Sequence, residues 1–348
     1  GVRHLGCAAG VAITASHNPP QYNGFKVYGE DGAQLGPEAA AGVTACIRET
    51  AYEAALPMPQ AEALAKGLLR IIGREEVDDA YMEKVRGLCV QPELMAREGH
   101  KLSIVYTPLH GSGNVPVRRI LQEVGITNLA VVKEQEDPDP NFSTIAVPNP
   151  EDPEAFRLAM ALADERGADI VFGTDPDCDR LGAAVRDDTG KFRLLTGNQI
   201  GCIMLHYILS TRKEQGTLPN NGAVAKSIVT TELARALCED FGVTLFETLT
   251  GFKFIGELIQ RFEDSGEYTF LFGFEESYGY LSSSFVRDKD GVNASLLIAE
   301  AAAACKAQGI TLYERMQDIF RRYGYYTEKV VSKTLPGKDG IARMGQIM

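Results

Sequence analysis

The chain has 348 residues, of which 45% are hydrophobic and 24% are charged, and its formal net charge is −12. This length allows two or three domains with sizeable cores. The acidic balance argues against binding to nucleic acid or to an anionic membrane surface, since both require clustered Lys and Arg. An anionic substrate would therefore need a positive field that is local to its site.

The cysteines and the two ends of the chain give further bounds. Seven cysteines without a C-x-x-C spacing indicate free thiols in a reducing cytoplasm. The sequence has no apolar run of transmembrane length and no signal-peptide pattern. Because the chain opens without Met and closes shortly after Gly340, we expect both ends to be cut. The sequence carries no signal for an oligomeric state.

Before residue 100 the sequence predicts two short strands followed by helices. The apolar run at 11–15 predicts one strand, and residues 24–28 predict another. Pro37 is a favourable first helical residue, so we expect an Ala-rich helix from there to about residue 56. The charged, helix-like stretch at 74–97 is typical of a connector between domains.

Two further units alternate strands and helices. The unit that begins near residue 101 is predicted to have strands at 102–107, 129–132 and 168–174 and helices at 115–124 and 153–166. The unit that begins near residue 222 is predicted to have strands at 223–229, 243–246 and 268–274, a helix at 231–241, another after residue 252 and a long one from 293. This alternation indicates an α/β fold of consecutive layers, with mixed, mostly parallel sheets and crossover helices.

An acidic loop follows the predicted strand at 168–174. It carries Asp175, Asp177 and Asp179 at every second position, so in an extended segment the three carboxylates point one way. Like charges this close repel unless a cation neutralises them, and hard oxygen ligands select Mg²⁺. The spacing excludes an EF-hand, because its sixth and twelfth positions hold Arg180 and Arg186. A nucleophilic Asp175 that forms an aspartyl phosphate stays open, as does a merely solvated acidic turn.

A second loop carries a candidate nucleophile. Ser16 and His17 stand where the first strand opens into a Pro-rich loop, a position that presents side chains to a ligand. An ordinary turn explains the same residues. Lys26 follows in the next strand and is either a surface lysine or a neighbour of the Ser16 loop.

Three stretches of the third unit offer groups for sugar and phosphate. Glu275 and Ser277, two positions apart after a strand, are suited to bond neighbouring sugar hydroxyls. The stretch at 250–253 is suited to open a helix that carries a lysine, and Arg287 and Lys289 would be useful near a phosphate. Each stretch alone is explained as well by a glycine-flanked turn or a charged hairpin.

In this order, these loops resemble the α-D-phosphohexomutase superfamily over nearly the whole chain. Residues 14–19 resemble its phosphoserine loop, 175–180 its metal loop and 273–277 its sugar loop. The stretches at 250–256 and 287–291 are more similar to the phosphoglucomutase branch, including relatives active on pentose phosphates.

One position departs from the phosphomannomutase-like branch. That branch usually carries a His shortly after the serine of the sugar loop, where this chain has Tyr278 and Tyr280. The departure weakens the assignment of a His acid or base to that loop.

The resemblance implies a fold of four domains and a division of this chain among them. Residues 1–98 would be the latter part of the first domain with the connector, 99–215 the second, 216–328 the third and 329–348 the start of an incomplete fourth. The earlier part of the first domain, with its usual active-site Arg, and the fourth-domain loop that grips the substrate's other phosphate would then be missing.

The resemblance also implies an activity: an intramolecular phosphotransferase that interconverts sugar 1-phosphates and 6-phosphates, with glucose the expected sugar. Ser16 would be phosphorylated at rest, and Mg²⁺ would bridge that phosphate and Asp175, Asp177 and Asp179. Glucose 1,6-bisphosphate would be the intermediate and activator. We expect Lys26 to transfer the proton if burial and nearby cations lower its pKa.

Further site residues are expected by the same resemblance. His17 and Lys289 are additional catalytic candidates. The expected substrate-binding residues are Arg180, Thr250, Gly251, Lys253, Glu275, Ser277 and Arg287.

Two alternatives stay open. A phosphopentomutase or a phosphomannomutase would use the same loops and mechanism, because hydroxyl specificity depends on angstrom-level placement. A chain cut at both ends could instead be a scaffold that binds metal and sugar phosphate without turnover. In either case we expect a small-molecule sugar phosphate as the partner.

Overall fold

The computed structural model describes residues 1–54, 56–329, 335 and 337–347. It contains one antiparallel pair of strands and two larger mixed sheets, of five and four strands, with helices against them. The predicted α/β class is therefore confirmed. No helix in the described ranges combines the length and the apolar composition that crossing a bilayer requires.

The first region, residues 1–72, is built on two antiparallel strands. Its strands are β1 (Gly10–Ile13) and β2 (Phe25–Tyr28), and its helices are α1 (Val2–Leu5), α2 (Pro37–Glu49) and α3 (Gln60–Ala65). The helix α2 begins at Pro37 as predicted, but it ends at Glu49 instead of near residue 56. Thr50 adopts an extended conformation there, and a short 3₁₀ helix at Tyr52–Ala54 follows.

The second region contains the five-stranded sheet. Its helices are α4 (Asp78–Arg86), α5 (Pro92–Glu98), α6 (Asn114–Glu123) and α7 (Arg157–Arg166), and its strands are β3 (Ser103–Thr107), β4 (Asn128–Val131), β5 (Ile170–Thr174), β6 (Leu181–Arg186) and β7 (Phe192–Leu194). Short 3₁₀ helices span Gly99–Lys101, Lys133–Gln135 and Pro153–Phe156. The strand order is β4-β3-β5-β6-β7, with β3 parallel to β4 and β5 and with β6 and β7 antiparallel.

The third region contains the four-stranded sheet, in the order β11-β10-β8-β9. Its strands are β8 (Gly222–Ser227), β9 (Thr244–Thr248), β10 (Thr269–Glu275) and β11 (Gly279–Leu281), and its helices are α8 (Gly197–Glu214), α9 (Leu233–Phe241), α10 (Phe252–Ser265), α11 (Gly291–Ala307) and α12 (Leu312–Tyr323), with α13 (Gly337–Ile347) further on. The strand β8 is parallel to β9 and β10, whereas β11 is antiparallel to β10. Residues 330–334, within the expected start of a fourth domain, lie outside the described residues.

The expected boundary at residue 215 assigns α8 to the second domain, whereas the contacts of this helix place it with the third region. It packs against α9 and β10 of the third region, and it carries a complete capping box at Thr196 and Gln199. Tyr280 donates a hydrogen bond from its hydroxyl to the Gly197 carbonyl at 3.1 Å, which holds the start of α8 to β11.

The helix α11 joins the two large sheets. Fifteen consecutive residues of it, 291–305, are buried, and it packs against α6, α8, β5 and β11. The Asp290 carboxylate caps its first turn by accepting hydrogen bonds from Val292 and Asn293 N–H. The Gly291 N–H donates to the Cys178 carbonyl at 2.9 Å, so the start of α11 is fixed against the acidic loop.

Candidate active site

The Ser16 loop begins where β1 ends. Ser16 has a φ of 52°, in the left-handed region that non-glycine residues seldom occupy, and its N–H donates to Thr14 Oγ1 at 2.8 Å. The Ser16 Oγ lies 2.9 Å from Asp175 Oδ2 and 3.1 Å from Asp177 Oδ1, within donating distance of both carboxylates. The structure thus brings the hydroxyl to the acidic loop, although 159 positions separate Ser16 from Asp175.

The acidic loop starts at the carboxyl end of β5, in the middle of its sheet. Asp175 is fully buried, and its Oδ1 accepts hydrogen bonds from the N–H groups of Asp179 at 3.1 Å and Arg180 at 3.0 Å. Asp175, Asp177 and Asp179 each offer one oxygen, and these atoms all lie within 4.8 Å of one another. The alternating carboxylates therefore converge on one point.

The charges of the loop are suited to a cation. Burial raises the pKa of Asp175 well above its usual range, and the carboxylates of Asp179 and Asp177 raise it further. Burial also acts upward on the pKa of Asp177, but the hydrogen bond with Asp175 and the charge of Lys26 lower it to about 2. Asp179 Oδ1 is buried and has no hydrogen-bond partner among the described residues. Three converging hard oxygen ligands, one of whose carboxylates has an oxygen without a hydrogen-bond partner among the described residues, fit a divalent cation.

Two lysines face the acidic loop. Lys26 Nζ lies 2.9 Å from both Asp177 Oδ2 and Asp179 Oδ2, and Lys289 Nζ lies 3.0 Å from Asp179 Oδ2. Burial lowers the pKa of Lys26, but the charges of Asp179 and Asp177 outweigh it and raise the pKa above its ordinary value. Proton transfer by Lys26 is expected from the sequence if burial and nearby cations lower its pKa. The pKa is instead raised, because the nearest charged neighbours of Lys26 are carboxylates.

His17 and Arg180 flank the same point. His17 Nδ1 lies 3.2 Å from Ser16 Oγ, and burial together with the Arg180 charge lowers the pKa of the ring to about 4. The His17 ring is therefore neutral at pH 7. Arg180 donates from Nη1 to Glu151 Oε1 at 2.8 Å, while its buried Nε has no hydrogen-bond partner within the described residues. That Nε lies 4.0 Å from Asp179 Oδ1, so the guanidinium faces the acidic loop.

The sugar-loop stretch lies next to the acidic loop. The Leu181 N–H donates to the Tyr278 carbonyl at 3.0 Å, which joins the two loops through their backbones. Glu275 is buried at the end of β10, and its Oε1 accepts a hydrogen bond from the Gly251 N–H at 2.8 Å. Gly251 has a φ of 119°, which a residue with a Cβ adopts only at a cost. Burial raises the pKa of Glu275.

For three other expected substrate-binding residues, the structure shows no hydrogen bond or ion pair to the acidic loop among the described residues. Ser277 is half-buried in the turn after Glu275, and Thr250 is exposed beside Gly251. Lys253 lines a different cavity, of about 1080 Å³, and its Nζ lies 5.3 Å from the Phe254 ring centroid.

Arg287 is bound inside the third region. It is 1% exposed, donates from Nε to the Ser284 carbonyl at 3.0 Å and pairs with Glu263. A guanidinium with these partners is committed to the protein, so the structure does not bring Arg287 to the acidic loop.

A cavity of about 580 Å³ opens between the first region and the acidic loop. It is lined by Lys26, Asp177, Asp179, Lys289 and Ser112 among others. Ser112, in the turn before α6, therefore touches the site, and its N–H holds the acidic loop by donating to the Pro176 carbonyl at 2.8 Å.

Other residues at the site were not found from the sequence. Thr14 Oγ1 lies 3.3 Å from Asp177 Oδ2, and the Tyr28 hydroxyl lies 3.3 Å from Asp288 Oδ2. Thr14 lies within the stretch at 14–19 and Tyr28 at the end of the predicted strand at 24–28, but the sequence does not signal the carboxylate that each one contacts. Glu151, the partner of Arg180, lies in a long Asp- and Pro-rich stretch without a motif.

The fold and the site define an α/β protein in which a strand-end acidic loop faces a serine hydroxyl. Comparison with family models gives the same three layers. The models described as phosphoglucomutase/phosphomannomutase α/β/α domains I, II and III match residues 1–54, 79–190 and 196–323. Their order and spacing agree with the three regions of this structure.

Curated relatives and a solved structure agree with these models. Phosphoglucomutases from Staphylococcus epidermidis (strain ATCC 35984) and Staphylococcus haemolyticus (strain JCSC1435) are 39% and 37% identical over the whole chain. The chain spans only 61% of the length of each. A crystal structure of a Thermus thermophilus protein proposed to be a phosphomannomutase is 26% identical, with a TM-score of 0.74 over 93% of this chain and 65% of that one.

The chain therefore belongs to the phosphoglucomutase/phosphomannomutase family, within the α-D-phosphohexomutase superfamily, and is phosphoglucomutase-like. The resemblance found in the loop motifs is confirmed.

Proposed function

We propose that the protein expressed from its complete gene is a phosphoglucomutase-type isomerase that interconverts glucose 1-phosphate and glucose 6-phosphate. The reaction would run through a phosphorylated Ser16 and glucose 1,6-bisphosphate. The observation that carries the proposal is the placement of Ser16 Oγ at 2.9 Å and 3.1 Å from two of three convergent carboxylates. The 37–39% identity to curated phosphoglucomutases supports glucose as the sugar. A cytoplasmic location is part of the same proposal, supported by free cysteines.

The chemistry consists of two phosphoryl transfers in opposite directions. In the first, the bond between phosphorus and Ser16 Oγ breaks while the free hydroxyl of the sugar phosphate forms a new bond to phosphorus. That hydroxyl gives up its proton, and Ser16 Oγ takes one up. In the second, the bisphosphate has turned over, and Ser16 Oγ gives up its proton and bonds to the other phosphorus. The bond from that phosphorus to its sugar oxygen breaks, and the released oxygen takes up a proton. Such transfers depend on positioning and on neutralisation of the phosphoryl charge.

The acidic loop would hold the metal that this charge requires. Asp175, Asp177 and Asp179 would bind Mg²⁺, with the Ser16 oxygen or its phosphate beside them. When bound, Mg²⁺ neutralises negative charge on the transferring group. The open Asp179 Oδ1 and the convergence of the three carboxylates support this assignment.

The side chains around Ser16 would have different roles in proton transfer and charge stabilisation. Lys26 has a raised pKa, so it is charged at neutral pH and is a weak acid, able to donate a proton only to a strongly basic oxygen that leaves phosphorus. His17 is neutral and 3.2 Å from Ser16 Oγ, so it is suited to accept a hydrogen bond from that hydroxyl. Lys289 adds a second positive charge on Asp179.

The substrate would be held from the other side of the cleft. Arg180 would offer its guanidinium to a phosphate, and Glu275 and Ser277 would bind sugar hydroxyls, with Gly251 fixing Glu275. Thr250 would contribute from the exposed end of the same turn. Lys253 and Arg287 stay predictions to which this geometry adds no support.

A turnover assay tests the proposal. The protein from the complete gene and the 348-residue chain are each incubated with Mg²⁺, glucose 1,6-bisphosphate and a single sugar 1-phosphate, and the products are followed by ³¹P NMR. We expect conversion of glucose 1-phosphate by the former, with a lower kcat/KM for the mannose and ribose substrates. Absence of conversion for all three sugars would contradict it. Equal activity of the 348-residue chain would exclude a scaffold without turnover.

A further inference from the structure

Glu276 stands between the two residues assigned to sugar hydroxyls, yet its own side chain is turned toward β8. Its Oε2 lies 3.0 Å from Ser227 Oγ and 3.1 Å from Thr230 Oγ1, within hydrogen-bond distance of both hydroxyls. Ser227 and Thr230 are buried, and their oxygens are 2.7 Å apart. The carboxylate is therefore held by a pair of hydroxyls at the carboxyl end of β8, one of the two interior strands of the four-stranded sheet.

The backbone of Glu276 is fixed at the same place. Its N–H donates to Thr230 Oγ1 at 3.2 Å, so the Thr230 hydroxyl group receives one hydrogen bond from Glu276 and gives one back. On the other side, a Cβ at Gly197 would collide with the Glu276 carbonyl oxygen. Only glycine at the start of α8 allows this close approach.

The rest of the turn is fastened by its aromatic residues. The Tyr278 hydroxyl donates to the Leu195 carbonyl at 3.0 Å, and the Tyr280 hydroxyl donates to the Gly197 carbonyl at 3.1 Å. Tyr278 has a φ of 67°, a conformation that a bulky residue keeps only where its surroundings enforce it. The Glu276 contacts add a link from this turn to the end of β8, beyond the pairing of β8 with β10.

We propose that Glu276 is a positioning residue that, through Ser227 and Thr230, sets the orientation of Glu275 and Ser277 toward the sugar. The inference rests on the proposed function, since it deepens the role given to those two side chains. Discrimination between hydroxyl epimers requires hydrogen-bonding groups held to a fraction of an ångström. A turn released from β8 would still form, but it would hold Glu275 and Ser277 loosely.

The test compares four variants of the protein from its complete gene: Glu276→Ala, Glu276→Gln, Ser227→Ala and Glu239→Ala. Glu239 is an exposed glutamate of α9 in the same domain and serves as the matched control. For each variant, kcat and KM are measured with glucose 1-phosphate and mannose 1-phosphate, along with the melting temperature and the phosphate content of Ser16.

We expect Glu276→Ala to raise the KM for glucose 1-phosphate about tenfold and to lower the glucose-to-mannose ratio of kcat/KM by a similar factor. Ser16 phosphorylation should not change. Glu276→Gln should restore most of the ratio, because an amide oxygen still accepts both hydroxyl hydrogen bonds, and Ser227→Ala should show a weaker form of the alanine effect. Glu239→Ala should match the wild type.

The outcomes separate this inference from the function on which it rests. A wild-type protein that converts neither sugar contradicts the proposed function itself. An active wild type whose discrimination ratio is unchanged in Glu276→Ala and Ser227→Ala overturns the positioning role. A lower melting temperature with an unchanged ratio also overturns it, because that is the result of a structural role alone. If Glu276→Ala does not fold, the ratio measured for Ser227→Ala decides.

Discussion

Lys226 and Lys26 each lie between a pair of carboxylates, and the two lysines differ in where those carboxylates come from. Lys226 Nζ lies 2.9 Å from Glu232 and 2.8 Å from Glu247, and it also donates to the Thr230 carbonyl at 3.0 Å. These partners lie within 21 positions of it. Lys26 lies equally close to Asp177 and Asp179, which are 151 and 153 positions away.

The difference separates a structural lysine from a candidate catalytic one. The Lys226 side chain is 0% exposed and has backbone as well as carboxylate partners, so nothing else can reach it. The Lys26 side chain is 22% exposed, lines the cavity, and shares Asp177 with Ser16. Burial and charge pairing alone therefore do not mark a site; a partner that also faces the reacting hydroxyl does.

The largest expected effect is at the hydroxyl that shares Asp177 with Lys26. Ser16→Ala should lower kcat at least about 10⁴-fold, because it removes the nucleophile of both half-reactions. Ser112→Ala is the control, since this serine lines the same cavity but its hydroxyl donates, among the described residues, to the Pro176 carbonyl alone. Steady-state kinetics with glucose 1-phosphate measure both. Comparable losses in the two variants would break the assignment of Ser16.

The variants Lys26→Met and Lys226→Met test whether the two lysines differ in role, because each keeps the apolar stem of the side chain and removes its charge. Lys26→Met should lower kcat about 10²- to 10⁴-fold, the range for a group that handles a proton. Lys226→Met should instead lower the free energy of unfolding by about 1 to 2 kcal/mol, since it removes the hydrogen bonds of a buried ammonium while Glu232 and Glu247 keep Arg235 as a partner. Kinetics and urea denaturation give the two quantities. If Lys226→Met lost more kcat than Lys26→Met, the distinction would be wrong.

Site residues that stand in short sequence motifs could be predicted, whereas residues that reach the site only through tertiary contacts could not. The Ser16 loop, the acidic loop and Lys26 stand in short motifs after strands, so they could be found. The partners Glu151, Ser227 and Thr230 could not, because folding brings them to the site and nothing near them in the chain signals it.

The fold was predicted where strands and helices alternate and missed where they do not. The strands β6 and β7 return antiparallel without a crossover helix, and β6 is rich in small residues of low strand propensity. The helix α8 is buried on most sides, which removes the 3.6-residue pattern that marks a surface helix. The turn after Glu275 also concealed β11, which is only three residues long.

A smaller effect is expected from metal binding to the unphosphorylated chain, which needs no turnover to measure. Mg²⁺ at 100 times its dissociation constant should stabilise the fold by about 2.7 kcal/mol, because it binds the folded state alone. Asp179→Asn should reduce this gain strongly, whereas Glu247→Gln, at the partner of Lys226, should keep it. Thermal melts with Mg²⁺ and with a chelator provide the test. Equal Mg²⁺ shifts in both variants would place the metal elsewhere.

The smallest effect is expected at Glu151, the partner of Arg180. The Glu151 side chain is 41% exposed, and a pair of this kind contributes about 0.5 kcal/mol. Glu151→Gln should therefore change KM only about twofold, and Arg180→Ala should change it far more because the guanidinium itself is lost. A larger change in KM for Glu151→Gln than for Arg180→Ala would show that the carboxylate, not the guanidinium, acts on the substrate.

The central claim is that the Ser16 oxygen, and no carboxylate of the acidic loop, carries the phosphoryl group. Intact mass of the freshly purified protein, before and after phosphatase, followed by phosphopeptide mapping, tests it most directly. The account predicts one phosphate, located on Ser16, that survives the mild alkaline treatment under which acyl phosphates hydrolyse. A phosphate on Asp175, or a fully active enzyme that never carries phosphate on Ser16, would contradict it.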